Sequence, residues 1–369
     1  MHIPWCVRKC PYCDFNSHKA APEIPEQAYI NALIADLQQD QKWAQGRKLT
    51  SIFFGGGTPS LFSAAGIGQI LDAAERLIGF ESDIEITLEA NPGTAEQEKF
   101  SGFRSAGVNR LSIGIQSFNN QHLLKLGRIH DGTQALSAIE TARRAGFDNF
   151  NLDLMHGLSG QTVEQARRDL QLASDSGALH ISWYQLTIEA NTEFYSRPPQ
   201  LPEEEALVDI QQAGMELLDG GGYAQYEVSA FAQPGRASQH NMNYWQFGDY
   251  LGIGAGAHGK ITLPADNSIL RSNKTRQPDN YLARDPLTLA QHKPIPVDEL
   301  AVEFMMNGLR LRQGLSADYF TPRTGLPAAS IAKQVAKLQS QGLLEANDRC
   351  YQATPLGYQF LNSVLQGFS

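Results

Sequence analysis

The feature that most constrains the fold is a recurrence of short apolar runs, each ending in polar or glycine residues and followed by a helical pattern. Ser51–Phe54 runs into Gly55-Gly56-Gly57-Thr58-Pro59, Ile84–Leu88 into Glu89-Ala90-Asn91-Pro92-Gly93, and Arg110–Ile115 into Gln116-Ser117. Phe150–Met155 ends at His156-Gly157, and Ile181–Leu186 leads to a loop around Arg197-Pro198-Pro199. Between them, helical periodicity covers 25–45, 63–78 and 202–218, with further helices closing near Ala106, Ala145 and Ser174. Thr94-x-x-Gln97 and Thr162-x-x-Gln165 have the pattern of capping boxes. Short apolar strands alternating with helices predict parallel strands covered by helices. In such βα architectures, functional groups gather at the C-terminal strand ends, where the polar tails fall. About six units fall short of a closed eightfold barrel, so the expected fold is α/β, an open partial (βα)6 barrel; a doubly wound sheet is the alternative.

Beyond residue 222 the texture changes. Tyr226–Phe231 reads as another strand, followed by His240-Asn241-Met242-Asn243-Tyr244-Trp245 and a glycine-rich stretch, Leu251 to Gly259. Prolines and polar residues over 264–297 predict exposed connections at a domain junction. From Asp298 the pattern is helical again; an amphipathic helix over 328–341, a hairpin over 342–354 and a helix over 355–365 outline a winged helix. The expected organisation is a barrel over 1–222, a connecting segment over 223–297, and a small α+β, winged-helix-like region over 298–369. Lys333, Lys337 and Arg349 are offset by Glu345 and Asp348, and the net charge is −9, which argues against nucleic acid as a partner. No apolar stretch is long enough to span a bilayer.

Three of the four cysteines stand together in Cys6-Val7-Arg8-Lys9-Cys10-Pro11-Tyr12-Cys13, and Cys350 is remote. Three thiolates on one short loop suit a metal or an iron–sulfur cluster better than a disulfide. A [4Fe–4S] cluster held by three cysteines keeps one iron free for a small ligand. A closed zinc site needs a fourth ligand, for which His2 or His18 is at hand. Free thiols and an oxygen-sensitive cluster point to the cytoplasm.

The C-x3-C-x2-C spacing, with an aromatic before the last cysteine, resembles the radical S-adenosylmethionine (SAM) superfamily. Its surroundings resemble the HemN/HemW family, oxygen-independent coproporphyrinogen oxidase and its relatives. The likeness continues through Gly55–Ser60, Glu89–Gly93, Ser112–Phe118 and Asn151–Leu158 to the C-terminal helices. It implies a cluster on Cys6, Cys10 and Cys13, and SAM held by Tyr12, Gly56, Gly57, Thr58, Glu89, Gln116, Arg128 and Asp153. It also implies reductive cleavage of SAM to a radical that abstracts hydrogen. In the family a strand runs into the His-Ile-Pro segment; here it is a stub starting at Met1.

Two branches come into view. The oxidase branch carries a further cysteine two residues after the third and a longer N-terminal arm; here that position is Phe15. His240–Trp245 matches the H-N-x-x-Y-W motif of the heme-chaperone branch, HemW. That resemblance implies heme bound near His240, Tyr244 and Trp245, with His258 as another candidate ligand. It further implies an acceptor hemoprotein, an electron donor, and a peripheral membrane contact through the acceptor. The alternatives are coproporphyrinogen III oxidation to protoporphyrinogen IX and a zinc-stabilised binding module.

Overall fold

The computed structural model describes residues 1–285, 287 and 290–368, with Thr94 and Ala95 as backbone only. Its centre is an eight-stranded sheet. We number the strands β1 (His2–Ile3), β2 (Leu49–Gly56), β3 (Phe80–Ala90), β4 (Arg110–Gln116), β5 (Phe150–His156) and β6 (His180–Gln185), all parallel. Strands β7 (Ala224–Glu227) and β8 (Ala230–Ala232) extend it antiparallel, so the stretch expected as one strand is two joined by a turn.

The sheet order is β1-β2-β3-β4-β5-β6-β8-β7. The six parallel strands are neighbours in chain order, with no reversal. A doubly wound sheet reverses its order at a switch point, so this is the barrel alternative, left open at one side. The edge of β1 is covered by the glycine-rich loop, where the His2 amide donates to the Ile253 carbonyl at 2.8 Å. A Cβ at Gly254 would lie 2.2 Å from the His2 carbonyl oxygen, so only glycine permits this close cover.

The helices outside the sheet are α1 (Glu26–Asp40), α2 (Ala64–Leu77), α3 (Phe100–Ser105), α4 (Gly132–Arg144), α5 (Val163–Asp175) and α6 (Glu204–Gly220). Thr162 closes the expected capping box with Gln165, which fixes where α5 begins. A short helix does start at Thr94, but that residue's side chain lies outside the described residues. The apolar faces of these helices meet the sheet in one core that includes Phe54, Leu88, Phe103, Ile113, Leu152 and Ile181.

The H-N-x-x-Y-W segment is a helix, α7 (Gln239–Trp245). Ser238 caps it, and Glu85 on β3 accepts from the Gln239 and His240 amides at 3.1 and 3.2 Å. The stretch 264–297, expected as connections, holds most of a three-stranded antiparallel sheet: β9 (His258–Leu263), β10 (Ser268–Lys274) and β11 (Ala290–Pro294). Buried Lys274 ties this sheet to α1 through Asp36 at 2.5 Å and Asp40 at 2.7 Å. A second core, around Phe247, Phe304, Phe320 and Leu338, joins α7 to α8 (Leu300–Gly308) and α9 (Ala332–Ser340). The expected wing is there: Leu344 bridges Ala353, and Cys350–Tyr351 pairs with Leu315–Ser316.

Candidate functional site

The polar residues predicted at the strand ends converge at the C-terminal mouth of the barrel. Each of the three clustered sulfurs has a polar side chain against it. Thr58 Oγ1 donates to Cys6 Sγ at 3.5 Å, Arg128 Nη1 donates to Cys10 Sγ at 3.6 Å, and Ser17 Oγ lies 3.7 Å from Cys13 Sγ. Burial pushes the Cys6 and Cys13 thiols up, which disfavours thiolates until a cation or cluster meets them. Among the described residues, no group of three or more His, Cys, Asp or Glu side chains is arranged for a single metal ion. His2 and His18 both engage Asn16 through Nε2, at 2.9 and 3.3 Å. A cluster needs three sulfurs spread over a wider span than one zinc ion does, so this loop fits a cluster better than a closed zinc site.

Above the sulfurs runs a connected polar network. Arg128 also donates to Asn91 Oδ1 at 2.6 Å and to the Gly114 carbonyl at 2.8 Å, while Asn91 donates to Thr58 Oγ1 at 3.0 Å. Gln116 ends β4 with a φ of 67°, next to a register shift between Ile113 and Gln116. Such an irregularity re-aims a side chain at a strand end, and here Gln116 accepts from the Tyr184 hydroxyl at 2.6 Å. Asp153 accepts from Ser112 at 2.9 Å and from Asn151 at 2.8 Å. Tyr12 packs against Phe194, and burial raises its phenol.

Two carboxyls dominate the electrostatics. Burial, then the nearby Asp153 charge, raises Glu89 from 4.5 to about 8, against the Gly56 amide donating to it at 3.1 Å. Burial likewise raises Asp153. Two buried acids this close, both raised by burial, are poised for a ligand bearing positive charge and hydroxyl donors. SAM, a sulfonium with an ammonium and a ribose, has that chemistry.

The glycines of this loop also serve a close contact within the chain. The Gly56, Gly57 and Thr58 amides are already bonded, to Glu89, the Ile3 carbonyl and the Trp5 carbonyl. A Cβ at Gly57 would sit 2.5 Å from the Trp5 oxygen, and one at Gly56 2.4 Å from the His2 ring. These glycines let β2 press against the chain's own first segment, and that contact sets the cysteine loop beside Thr58.

Next to Glu89 lies a cavity of about 540 Å³ that reaches from Gly56 to His240, Tyr244, His258 and Arg276. The His240 ring stacks on Phe53 at 4.2 Å and meets Tyr244 edge-on at 4.6 Å. Burial lowers His240 to about 3, so the imidazole is neutral at physiological pH, and its Nδ1 has no hydrogen-bond partner among the described residues. His258 also lines the cavity, and its ring makes no hydrogen bond among the described residues. Trp245 is not part of this wall: it turns to the second core, under the Arg310 guanidinium at 4.3 Å. The network members Asn91, Tyr184 and Asn16 escaped sequence reasoning; only Asn91, inside Glu89–Gly93, stood within a noted motif.

The Radical SAM superfamily model matches residues 1–173, and the HemN C-terminal domain model matches residues 295–360. The heme chaperone HemW of Haemophilus influenzae is 50% identical, covering 100% of this chain and 96% of that protein. The heme chaperone HemW of Escherichia coli is 48% identical, covering 100% and 97%. The mitochondrial radical S-adenosyl methionine domain-containing protein 1 of Bos taurus is 35% identical, covering 99% and 85%. Among solved structures, coproporphyrinogen III oxidase (HemN) from Escherichia coli superposes with a TM-score of 0.82 over 100% of this chain and 88% of that one. Its identity is 22%, so that likeness speaks for the fold.

Proposed function

The chain belongs to the radical SAM superfamily and, within it, to the family of HemW heme chaperones, and from that premise we propose that it binds heme in the cavity beside Glu89 and passes it to an acceptor hemoprotein. The observation that carries this reading is the cavity itself. One volume of about 540 Å³ touches the glycine loop and Glu89 at one end and His240, Tyr244 and His258 at the other.

Cys6, Cys10 and Cys13 hold the [4Fe–4S] cluster in this reading, and Tyr12, Gly56, Gly57, Thr58, Glu89, Gln116, Arg128 and Asp153 surround SAM. When bound, the cluster and SAM supply one-electron reductive chemistry. The chain's own residues do the rest. Thr58, Ser17 and Arg128 direct hydrogen-bonding groups at the sulfurs, which stabilises the thiolates against the effect of burial. Glu89 and Asp153 place buried acceptors where a cation with hydroxyl groups fits. His240, neutral at about 3 and unpartnered at Nδ1, and His258 are the candidate iron ligands. Arg276, on the same wall, suits a propionate. Phe53, Tyr244 and Tyr250 supply apolar faces for a porphyrin. Trp245 supports this wall from behind, by anchoring α7 in the second core.

No helix among the described residues is long and apolar enough to cross a membrane. We place the protein in the cytoplasm, receiving electrons from a donor protein and meeting membranes only through its acceptor. The barrel over 1–222, the connecting segment over 223–297 and the region over 298–369 are its proposed units. The test is an anaerobic heme titration of cluster-reconstituted protein, followed by absorbance, on wild type, His240→Ala and His258→Ala. Saturation near one heme per chain, weakened in one of the two variants, supports the site. No saturable binding, together with protoporphyrinogen formed from coproporphyrinogen, overturns the chaperone reading in favour of the oxidase.

A further inference from the structure

The H-N-x-x-Y-W segment holds a polar side chain to which the heme reading gives no task, Asn241. Its Nδ2 donates to the hydroxyl of Tyr226, on β7, at 3.0 Å. That hydroxyl lies 2.8 Å from Nε2 of His180, the first residue of β6. Nδ1 of the same ring lies 2.6 Å from Oδ1 of Asn151 on β5, and Asn151 Nδ2 donates to Asp153 Oδ1 at 2.8 Å. Five side chains thus run without a break from α7 to the acid that neighbours Glu89. His180 and Asn151 are 1 and 2% exposed, which shields the middle of this chain from bulk water.

The chain has a direction, and one backbone amide fixes it. The Ser182 N–H donates to Asn151 Oδ1 at 3.0 Å, and a backbone N–H can only donate. The carbonyl end of Asn151 therefore faces His180, and its amide end faces Ser112 Oγ at 2.8 Å as well as Asp153. Burial holds the His180 imidazole neutral. With Oδ1 opposite it, Nδ1 carries the ring proton and Nε2 the lone pair. Nε2 then accepts from the Tyr226 hydroxyl, and the Tyr226 oxygen in turn accepts from Asn241. Every proton of the chain points towards Asp153. Ser112 adds a branch, accepting from Asn151 and donating to Asp153 Oδ2 at 2.9 Å.

We infer that Asn241, Tyr226 and His180 are positioning residues for the SAM site, acting on Asp153 through the amide of Asn151. The inference rests on reading Asp153 as an acid of that site. The Tyr226 hydroxyl is what selects the His180 tautomer from the far side of the ring. Without it, the form with its proton on Nε2 sets the Nδ1 lone pair against Asn151 Oδ1, where two acceptors repel. That loosens the amide whose other end donates to Asp153. Asn241 shares α7 with His240 and Tyr244, so one short segment serves both the proposed heme wall and the SAM acid.

The test uses the cluster-reconstituted full chain and reads two quantities, SAM affinity by anaerobic equilibrium dialysis and the protonation of each ring nitrogen of His180 by nitrogen NMR. His180→Gln identifies the ring signals by their loss. In wild type the proton is expected on Nδ1. Asn241→Asp, equal in size, takes the Tyr226 proton and leaves Nε2 protonated. Tyr226→Phe and Asn241→Leu each weaken SAM binding roughly threefold to tenfold. The two together weaken it no further than Tyr226→Phe alone, because Asn241 acts only through that hydroxyl. If Tyr226→Phe fails to retain its cluster, Asn241→Leu, on the half-buried face of α7, decides the affinity. A wild-type proton on Nε2, an unprotonated Nε2 in Asn241→Asp, losses that add, or SAM affinity within twofold of wild type in both single variants overturns the inference. Failure of cluster-loaded wild type to bind SAM overturns the reading of Asp153 itself, and with it any role of the chain at that site, even where the His180 proton sits on Nδ1.

Discussion

Replacing Arg128 by Gln removes the charge nearest the cysteine sulfurs. Arg128 Nη1 sits 3.6 Å from Cys10 Sγ, and no carboxylate among the described residues pairs with it. At an effective dielectric of about 20, two unit charges at 3.6 Å interact by about 4.6 kcal/mol. For one electron, about 59 mV corresponds to 1.4 kcal/mol, so the ceiling is about 190 mV. The added electron is shared over a cluster larger than one sulfur, which brings the expected shift to the order of 100 mV. Its sign is fixed: the guanidinium stabilises the more negative, reduced cluster, so Arg128→Gln lowers the midpoint potential. Arg128→Lys keeps the charge and recovers most of the shift, though not the bonds to Asn91 and Gly114. Potentiometric titration followed by electron paramagnetic resonance measures this directly. A Gln variant that keeps its cluster and titrates within about 20 mV of wild type would refute the argument, because so close a charge at that dielectric cannot be silent.

The Glu89 carboxyl, at about 8 in the folded protein against an ordinary 4.5, gives a pH signature. With the folded value raised, its contribution to stability is full below about 4.5 and is lost as pH rises through about 8. A cationic ligand reverses this by favouring the carboxylate, so SAM affinity rises with pH up to about 8 and binding releases a proton; equilibrium dialysis from pH 6 to 9 shows a flat profile for Glu89→Gln. Gly57→Ala drives a methyl against the Trp5 and Ile3 carbonyls, costing about 1–3 kcal/mol, read as a Tm lowered by several degrees with poorer cluster retention. Lys274→Met leaves Asp36 and Asp40 facing each other in the core without their cation, a loss of about 3–5 kcal/mol in denaturant unfolding.

Much of the barrel was legible because its signals are local. A strand buried on both faces must be apolar along its length, and a helix must start at a cap, so Phe150–His156 and Thr162 declare themselves within a few residues. The small sheet of β9, β10 and β11 was not legible, because its strands carry Lys260, Ser272 and Lys274 inward. Lys260 is buried against Asp249 and the Phe247 ring, and Lys274 against Asp36 and Asp40. Each owes its burial to an acid from another element, and no window of sequence contains both partners of the Lys274 pairs. The helix at Gln239–Trp245 was missed for a related reason: seven residues are marginal alone, and Glu85, more than a hundred positions earlier, helps hold its first turn.

The sequence by itself determined the chemistry this chain has to offer: three thiols at cluster spacing, carboxyls and amides at the ends of successive strands, and a histidine one helical turn ahead of two aromatics. Chain-local spacing and periodicity carry that information. Only the tertiary structure decided how those groups are used. It directed Thr58, Arg128 and Ser17 at the sulfurs. It spent the glycine-loop amides on the chain itself, and turned Trp245 away while bringing His258 to the wall that His240 occupies. Those outcomes depend on contacts between residues tens to hundreds of positions apart, set by how the open barrel closes its first strand under the glycine-rich loop.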